Sequence, residues 1–279
     1  MSYWLLGIVL GIVQGVSEWL PISSKTQVMI ASKYLFNLSF VDGYALGLFL
    51  EAGTFFAAVF YFRGEVVRVL KALAGRGDED GMMLLKYLVV VTAVTAVIGV
   101  AIVEVVSKTV TGPVLGVPMI SLGCVLMGDG ILITLARKRY SPTKSLKELG
   151  LKDFLVVGVA QGIAALPGVS RSGATVSILL LLGIKPEESF RLSFLALIPA
   201  SVGATAATVL FTHSNLTEAA NTVSLSVITL AILVTVGIGL VFINVLLKAA
   251  GSNKIALLTF TLGILAVFSG IVSILTGAG

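Results

Sequence analysis

The chain is short of charged residues, and this shortage narrows what it can be. Charged residues make up 12% of its 279 positions, whereas hydrophobic residues make up 57%. A soluble protein of this size needs far more charge to cover its surface, and its glycines lie in apolar runs of the kind that transmembrane helices tolerate. The composition therefore excludes an ordinary soluble domain and predicts an integral membrane protein.

The chain also has one cysteine and one histidine, which excludes two further kinds of site. Cys124 lies alone in an apolar run, so no disulfide framework exists. His213 falls in a predicted surface loop and is not expected to take part in catalysis. Residues 1–20 lack a basic n-region and carry Glu18 near their end, so they are interpreted as mature protein rather than as a signal peptide.

A motif that occurs twice interrupts two of the hydrophobic stretches. The copies are GIVQGVSEWLPISS at 11–24 and GVAQGIAALPGVSRS at 158–172. Each copy breaks at Leu-Pro and continues with hydroxyl residues that open a second short apolar segment. Broken helices at matching positions of two halves indicate a binding site inside a membrane protein. The first break carries an acid, Glu18, and the second carries a base, Arg171, so the copies are chemically complementary.

Segment lengths predict six spanning helices and two re-entrant helix pairs. A helix crosses the hydrocarbon core with about 20 residues, and six stretches reach that length: 43–62, 86–106, 114–136, 188–211, 223–247 and 255–276. Four shorter segments form two pairs joined at the Leu-Pro breaks: 4–19 with 24–36, and 152–166 with 171–184. Non-helical backbone at membrane depth needs protein or a polar cavity around it, so the breaks are expected inside the bundle.

The repeat extends beyond these breaks and predicts two inverted halves in a single membrane domain, 1–279. Matching segments recur with the same internal spacing: SLG at 121–123 with TLG at 261–263, and GI at 130–131 with GI at 270–271. Each half, about 1–140 and 147–279, has one re-entrant pair and three crossings, and this odd number inverts the second half. The predicted fold is an all-α polytopic membrane protein with an inverted-topology repeat.

Basic residues are concentrated on one predicted side of the membrane. Most lie in the loops 63–86 and 137–152, whereas the opposite side has only Lys33 and Lys108. The positive-inside rule makes the basic side cytoplasmic and places both termini outside the cell membrane, so the first re-entrant pair opens outward and the second inward. The same rule accounts for the net charge of +5, so no nucleic-acid partner is expected.

The second tip, residues 167–175, has the features of an anion site. Gly168 lets the backbone approach a ligand closely, and hydroxyl residues can cap the helix that follows. The start of that helix presents unpaired N–H groups and a positive dipole end, and Arg171 adds a planar fork suited to phosphate oxygens. No Gly-Lys-Ser/Thr follows, so this is not a Walker A loop. A capped helix whose Arg171 merely neutralises Glu18 is the alternative.

The first tip, residues 18–27, supplies a complementary set of groups. Gln14 and Glu18 are four residues apart and therefore share a helical face. Ser23 and Ser24 stand at the start of the next helix, and a serine hydroxyl beside a carboxylate suggests a nucleophile with its base. Ordinary N-capping is the alternative for either serine.

The two motifs resemble those of the undecaprenyl-diphosphate phosphatases of the bacitracin-resistance type. The resemblance is carried by Gln14-x-x-x-Glu18 with Pro21-x-Ser23-Ser24, and by Pro167-Gly168-x-Ser170-Arg171-Ser172-x-x-Thr175. It implies hydrolysis of undecaprenyl diphosphate to the monophosphate and inorganic phosphate, which recycles the lipid carrier for envelope glycan synthesis. It also implies a polyprenyl diphosphate lipid as partner and a divalent metal ion, Mg²⁺ or Ca²⁺, as cofactor.

The resemblance also implies roles by position. Ser24 would be the nucleophile, Glu18 an acid/base or metal-associated carboxylate, and Arg171 the phosphate clamp. The other polar positions of the tips would bind substrate: Gln14, Ser23, Lys25, Gln27, Gly168, Ser170, Ser172 and Thr175. Many members have a histidine where this chain has Gln27, which cannot exchange a proton. Either Glu18 covers proton transfer here or the chemistry is slower, and Lys25 adds positive charge near the phosphates.

The sequence also permits a second function, and it contains three further acids in or near apolar segments. Inverted repeats with half-helices are also a transporter architecture, so a polyprenyl-phosphate flippase or transporter using the same site is the alternative. Glu51 is interpreted either as a group that supports the cavity or as a proton site. Asp129 is interpreted as a solvated or paired carboxylate and Glu104 as interfacial. The sequence leaves the oligomeric state open between a monomer and a homodimer.

Overall fold

The chain is built from α-helices. The computed structural model describes residues 3–38, 40–109, 116–136, 142–166, 168–211, 223–250 and 255–276. The helices are α1 (Tyr3–Ser17), α2 (Ser24–Phe36), α3 (Phe40–Tyr61), α4 (Arg63–Leu73), α5 (Glu79–Thr109), α6 (Gly116–Ala136), α7 (Leu151–Ile163), α8 (Arg171–Leu181), α9 (Pro186–Phe211), α10 (Leu225–Ala250) and α11 (Ile255–Leu275). A 3₁₀ turn, Leu146–Glu148, precedes α7, and β-type pairing in these residues is limited to one bridge between Lys144 and Ile184. The predicted all-helical architecture is confirmed.

Each predicted re-entrant pair is present as two short helices separated by a non-helical tip. α1 ends at Ser17 and α2 begins at Ser24, while α7 ends at Ile163 and α8 begins at Arg171. Proline ends a helix because it lacks an N–H and its ring clashes with the preceding turn. Pro21 lies in the first tip accordingly. Its counterpart in the sequence, Pro167, is outside the described residues, as are the loop 137–141 and His213.

Several helices have the length and composition of membrane spans. Among the described residues, three helices could cross a membrane: Glu79–Ile102, Leu225–Ala250 and Ala256–Leu275. A fourth span results if Leu46–Tyr61 and Arg63–Leu73 are taken together, although these two helices are bent by 82°. Large apolar side chains cover the outer surface, where Val97, Leu225 and Phe268 are 73%, 78% and 64% exposed. Such extensive apolar exposure suits contact with lipid rather than with water.

The segment 63–86, predicted as a loop, is largely helical. It contains α4 and the first turns of α5. α4 is amphipathic: Val67, Leu70 and Leu73 are exposed on one side, and Arg68 and Lys71 are exposed beside them. Its apolar residues recur every third or fourth position instead of forming a continuous run, which is why segment length missed it. A helix of this type, bent sharply away from an apolar one, has the character of an interfacial helix.

Glycines bring α6 and α11 into backbone contact. Three positions of α6 meet three of α11 in reverse order: Gly116 with Gly270, Gly123 with Gly263, and Gly130 with Ala256. The two helices therefore run antiparallel. A Cβ atom at Gly123 would lie 2.7 Å from the carbonyl oxygen of Gly263. Small residues allow this close approach, which supplies much of the van der Waals attraction between helices in a membrane.

The two copies of the motif are anchored by the same contact. Thr95 Oγ1 of α5 donates a hydrogen bond to the carbonyl oxygen of Gly158 in α7 at 3.2 Å. Thr235 Oγ1 of α10 donates to the carbonyl oxygen of Gly11 in α1, also at 3.2 Å. Gly11 and Gly158 are the first residues of the two copies. Each pair of short helices is thus fixed to a long helix that belongs to the other half of the sequence.

Replacing Gly123 with alanine is expected to destabilise the protein by about 1–3 kcal/mol, because the new methyl group overlaps the backbone of α11. Gly128 on the same helix is the matched control, since a Cβ atom there meets nothing within 4 Å. Thermal unfolding of Gly123→Ala and Gly128→Ala in detergent measures the difference. Equal unfolding midpoints for the two variants would contradict the packing described above.

Candidate active site

The two tips touch each other through hydroxyl groups of the second tip. Ser170 Oγ donates to the carbonyl oxygen of Leu20 at 3.1 Å. Ser172 Oγ lies 3.2 Å from the carbonyl oxygens of both Glu18 and Leu20. Ser170 also caps α8 by accepting the backbone N–H of Gly173 at 3.4 Å. The second tip therefore donates hydrogen bonds to carbonyl groups of the first tip where its helix is broken, including that of Leu20, which also accepts the N–H of Ile22.

Glu18 is the centre of the contact between the tips. Its side chain is buried, and its Oε2 accepts hydrogen bonds from Gln14 Nε2 at 2.8 Å and from Ser24 Oγ at 2.6 Å. Its Oε1 accepts the guanidinium of Arg171, whose Nη1 also donates to Ser201 Oγ of α9 at 3.4 Å. One carboxylate thus joins groups from both halves of the chain.

This arrangement suits the attack of a hydroxyl group on an anion. Ser24 donates directly to a carboxylate, which can take its proton as the oxygen attacks. Two of the residues that bind Glu18 are the first residues of helices. Ser24 begins α2, and Arg171 begins α8. The unpaired N–H groups and positive dipole ends of two helices therefore lie beside the same carboxylate. Together with the guanidinium they can bind a group that carries several negatively charged oxygens, such as a phosphate.

Ser23 has a strained backbone next to Ser24. Its φ is 52° and its ψ is 92°, a region that residues other than glycine rarely adopt. Its hydroxyl caps no backbone N–H and instead accepts a hydrogen bond from Thr26 Oγ1 at 3.0 Å. In the second tip, the positive φ of 86° falls on Gly168, which adopts it without strain. Backbone strain of this kind clusters at functional sites, where the surrounding structure maintains it.

A second ion pair lies beside the first tip. Lys25 Nζ is 2.6 Å from Glu51 Oε1 of α3, and the side chains of these two residues are 36% and 3% exposed. Glu51 therefore lies beside the first tip, and its role as a supporting group or as a proton site stays a prediction. Glu104 is exposed on α5, and its interfacial position stays a prediction. The side chain of Asp129 lies outside the described residues.

Gln27 and Thr175 connect the tips to neighbouring helices. Gln27 Nε2 donates to a carbonyl oxygen of the first tip at 2.9 Å and to the hydroxyl of Ser269 in α11. Both amide hydrogens are thereby used within the protein. Thr175 Oγ1 donates to the carbonyl oxygen of Arg171 at 2.9 Å and also bonds Ser193 of α9. These contacts hold the first turns of α2 and α8, and contact of either residue with substrate stays a prediction.

The serines of α9 are site residues that the sequence analysis missed. Ser201 accepts from Arg171 and Ser193 bonds Thr175, while Ser189, one turn earlier, is also buried. A signal was present, because positions 189, 193 and 201 fall near one face of an otherwise apolar helix. Hydroxyl groups along one face of such a helix indicate a polar surface inside the bundle.

Glu18 of the first tip and Gln14 of α1 offer oxygen ligands for a divalent cation. No group of three or more His, Cys, Asp or Glu side chains that could hold a metal ion occurs within the described ranges. Gln14 is fully buried, and its Oε1 has no hydrogen-bond partner there. Mg²⁺ is often held by one or two carboxylates plus substrate phosphates rather than by an all-protein cage. Glu18 and Gln14 therefore fit a cation that shares its coordination with a phosphate group.

Together, the fold and the site define a class: a polytopic helical membrane protein in which two broken helix pairs meet at a serine, a carboxylate and an arginine. Residues 7–268 match the family model of the bacitracin resistance protein BacA. The chain belongs to this family, and the resemblance noted from its motifs is confirmed.

Curated relatives of this chain carry the name undecaprenyl-diphosphatase. A relative in Saccharolobus solfataricus is 52% identical over 274 residues, which cover 98% of each chain. A relative in Sulfurisphaera tokodaii is 42% identical over 271 residues, which cover 96% of this chain and 97% of the relative. Another in Pyrobaculum aerophilum is 42% identical over 269 residues, with the same shares covered. The similarity therefore extends over the whole architecture, both tips included.

Replacing Ser23 with glycine is expected to leave the free energy of unfolding unchanged or to raise it, because glycine adopts a φ of 52° without strain. Ser24→Gly is the control, since Ser24 begins α2 without a positive φ and its replacement removes the buried hydrogen bond to Glu18, which should cost about 1–3 kcal/mol. Thermal unfolding in detergent compares the two variants. An equal loss of stability in both would show that the Ser23 backbone is not strained.

Proposed function

We propose that this protein is a polyprenyl-diphosphate phosphatase that removes the terminal phosphate of undecaprenyl diphosphate. The observation that carries the proposal is the Glu18 carboxylate, which binds the hydroxyl of Ser24 and the guanidinium of Arg171 at the starts of two helices. The name of the curated relatives supports the identity of the substrate. The monophosphate that remains would be reused as the lipid carrier for envelope glycan synthesis.

The first half of the reaction transfers the phosphoryl group to Ser24. Ser24 Oγ attacks the terminal phosphorus while Glu18 accepts its proton, and the bond to the bridging oxygen breaks. The lipid monophosphate leaves with the electron pair of that bond. Arg171 and the N–H groups at the starts of α2 and α8 stabilise the charge on the transferring oxygens. A divalent cation bound by Glu18 and Gln14 would supply further neutralisation of these oxygens.

The second half of the reaction releases inorganic phosphate. Glu18, after losing its proton to solvent, accepts a proton from a water molecule that attacks the phosphorus of phosphoserine. The bond from phosphorus to Ser24 Oγ breaks, and Glu18 returns a proton to this oxygen. The chain has Gln27 where a histidine is common, and an amide cannot exchange a proton. Within the described residues, Glu18 is the only carboxylate hydrogen-bonded to Ser24, so it serves both steps.

The same proposal includes a topology. Six helices would span the membrane, α3, α5, α6, α9, α10 and α11, and the pairs α1–α2 and α7–α8 would be re-entrant. The halves 1–140 and 147–279 would be inverted relative to each other. The matched helices α6 and α11 run antiparallel, and α1 packs on α10 as α7 packs on α5. Both observations support a two-fold relation between inverted halves.

The orientation follows from the charge of the loops. The basic residues of α4 and of residues 144–152 would face the cytoplasm, whereas both termini and the opening of the site would face outward. The proposed location is the cell membrane, with the polyprenyl diphosphate entering from the lipid.

The repeat also favours a second candidate function, a polyprenyl-phosphate flippase, since inverted repeats around a central site permit alternating access.

Release of inorganic phosphate from undecaprenyl diphosphate by detergent-purified protein tests the proposal, with and without Mg²⁺ or Ca²⁺. Ser24→Ala is expected to lower kcat at least 100-fold, and Arg171→Ala by about 100- to 1,000-fold, because charge stabilisation of the transition state is lost. Arg191→Ala is the matched control, since Arg191 pairs with Glu65 and Glu188 away from the tips. It should change kcat less than threefold, since a partly exposed ion pair contributes little.

The outcome also separates the two candidate functions. Full activity in Ser24→Ala would exclude Ser24 as the nucleophile. No phosphate release by folded wild-type protein that still binds the lipid would exclude the phosphatase. Lipid transfer between the leaflets of reconstituted vesicles would then test the flippase.

Single cysteines test the proposed orientation in a Cys124→Ala background. Asn37, between α2 and α3, and Arg76, between α4 and α5, are both exposed. Asn37→Cys is expected to react with a membrane-impermeant maleimide in intact cells, whereas Arg76→Cys should react only after permeabilisation. The reverse pattern would invert the proposed topology, and reaction of both in intact cells would exclude it.

A further inference from the structure

Before any substrate binds, the charged groups around the tips neutralise one another. Glu18 pairs with Arg171, and Glu51 pairs with Lys25. A terminal phosphate brings more than one negative charge into this neutral surrounding. Because burying an uncompensated charge is costly, the phosphate needs additional positive charge, and a cation of one of the two pairs supplies it by turning toward the phosphate.

The Lys25 pair is the one that can open more easily. The Arg171 side chain is 18% exposed, and both Glu18 and Ser201 hold its guanidinium. Lys25 is 36% exposed and carries its charge on a flexible four-carbon stem. Its ammonium can therefore change partners with little rearrangement of the surrounding helices.

The positions of Lys25 and Glu51 are not explained by a contribution to helix stability. Lys25 is the second residue of α2, at the helix end where the dipole disfavours a cation. Glu51 is buried in the middle of α3, where an apolar residue in place of a buried ion pair is often neutral or stabilising. A charge in an apolar helix of a membrane protein indicates a functional role.

The shape of α3 guides the lysine toward Glu51. Gly47 lies one turn before Glu51 on the same face of α3. A Cβ atom at Gly47 would lie 3.5 Å from Lys25 Cα and 3.8 Å from Lys25 Cγ, so the lysine stem rests directly against the helix. A side chain larger than a methyl group there would press on this stem. The ammonium thus stays next to the start of α2, where Ser24 is located.

We propose that Glu51 is a positioning residue that holds Lys25 beside Ser24 as an exchangeable counter-ion for the terminal phosphate. When the diphosphate binds, Lys25 Nζ turns from Glu51 to a phosphate oxygen, and when inorganic phosphate leaves, Glu51 takes it back. Glu51 and phosphate compete for one ammonium group, so Glu51 weakens the binding of the product and speeds its release. The identity of the substrate rests on the proposed function, whereas the exchange itself needs only a phosphate.

A double-mutant cycle of Glu51→Gln and Lys25→Met in the full-length protein tests this exchange. The readout is the Kd of inorganic phosphate and of methylenediphosphonate, which cannot be hydrolysed, measured by calorimetry. Glu51→Gln should tighten binding about three- to tenfold, because the competing carboxylate is lost, and Lys25→Met should weaken it by a similar factor. In the Lys25→Met background, Glu51→Gln should tighten binding by a clearly smaller factor, because only the direct repulsion between the carboxylate and the phosphate is then removed. Glu104→Gln, an exposed acid of α5, is the control and should leave Kd unchanged.

Steady-state kinetics with undecaprenyl diphosphate provide a second readout. Glu51→Gln should lower the inhibition constant for inorganic phosphate and lower KM, both through Lys25. The exchange would be overturned if Glu51→Gln changed Kd by the same factor in the wild-type and Lys25→Met backgrounds. It would also be overturned if Glu51→Gln lowered the unfolding temperature and left Kd unchanged. If Glu51→Gln does not fold, Lys25→Arg provides the test in its place. Lys25→Arg should keep the affinity for phosphate that Lys25→Met loses. Equal phosphate affinities of Lys25→Arg and Lys25→Met would overturn the proposal.

The two proposals fail in different ways. Coupling between Glu51 and Lys25 in phosphate binding, together with no phosphate release by the wild-type protein, would refute the phosphatase and support the exchange. Protein that hydrolyses the lipid without any coupling between Glu51 and Lys25 would refute only the exchange.

Discussion

The contact on which the structure depends is the carboxylate of Glu18, shared by Ser24, Gln14 and Arg171. A buried carboxylate is costly unless charged and hydrogen-bonding partners surround it. Its partners come from α1, from the start of α2 and from the start of α8, so both breaks must form and meet for the charge to be tolerated. The requirement that makes the buried acid acceptable also brings together the groups that can act on a phosphate.

The rest of the bundle holds the two tips at the correct distance. Close helix contacts, made through glycines on α1, α6 and α7, allow little movement between helices. Thr95 and Thr235 fix the first helix of each tip to a long helix of the other half. The hydroxyls of α9 then orient the first turn of α8. Phosphoryl transfer depends on positioning and on charge stabilisation. The rigid packing of the surrounding helices serves the first, and the charged groups of the two tips serve the second.

Much of this architecture can be predicted from the sequence, because its signals are local. Leu-Pro steps between short apolar segments predict both breaks, and the helix bounds agree within a few residues, as for 43–62 and the observed Phe40–Tyr61. α5 begins at Glu79, before the predicted 86, because the charged residues Glu79, Asp80 and Lys86 interrupt the apolar run by which a span is recognised. α4 was missed for a similar reason. The pairing of Glu51 with Lys25 and the role of Ser201 depend on which helices become neighbours, and neither apolar runs nor motif spacing contains that information.

The distance in sequence between the two tips has a consequence for biosynthesis. Glu18 and Arg171 are separated by 153 positions, so the acid is synthesised and inserted well before its cation exists. Contacts between distant parts of a chain form late, since the loop between them must close first. Until α8 is synthesised, the first tip lacks both the guanidinium that pairs with Glu18 and the hydroxyls of Ser170 and Ser172 that bind its carbonyl groups. A chain truncated before α8 therefore retains Glu18 without its arginine partner.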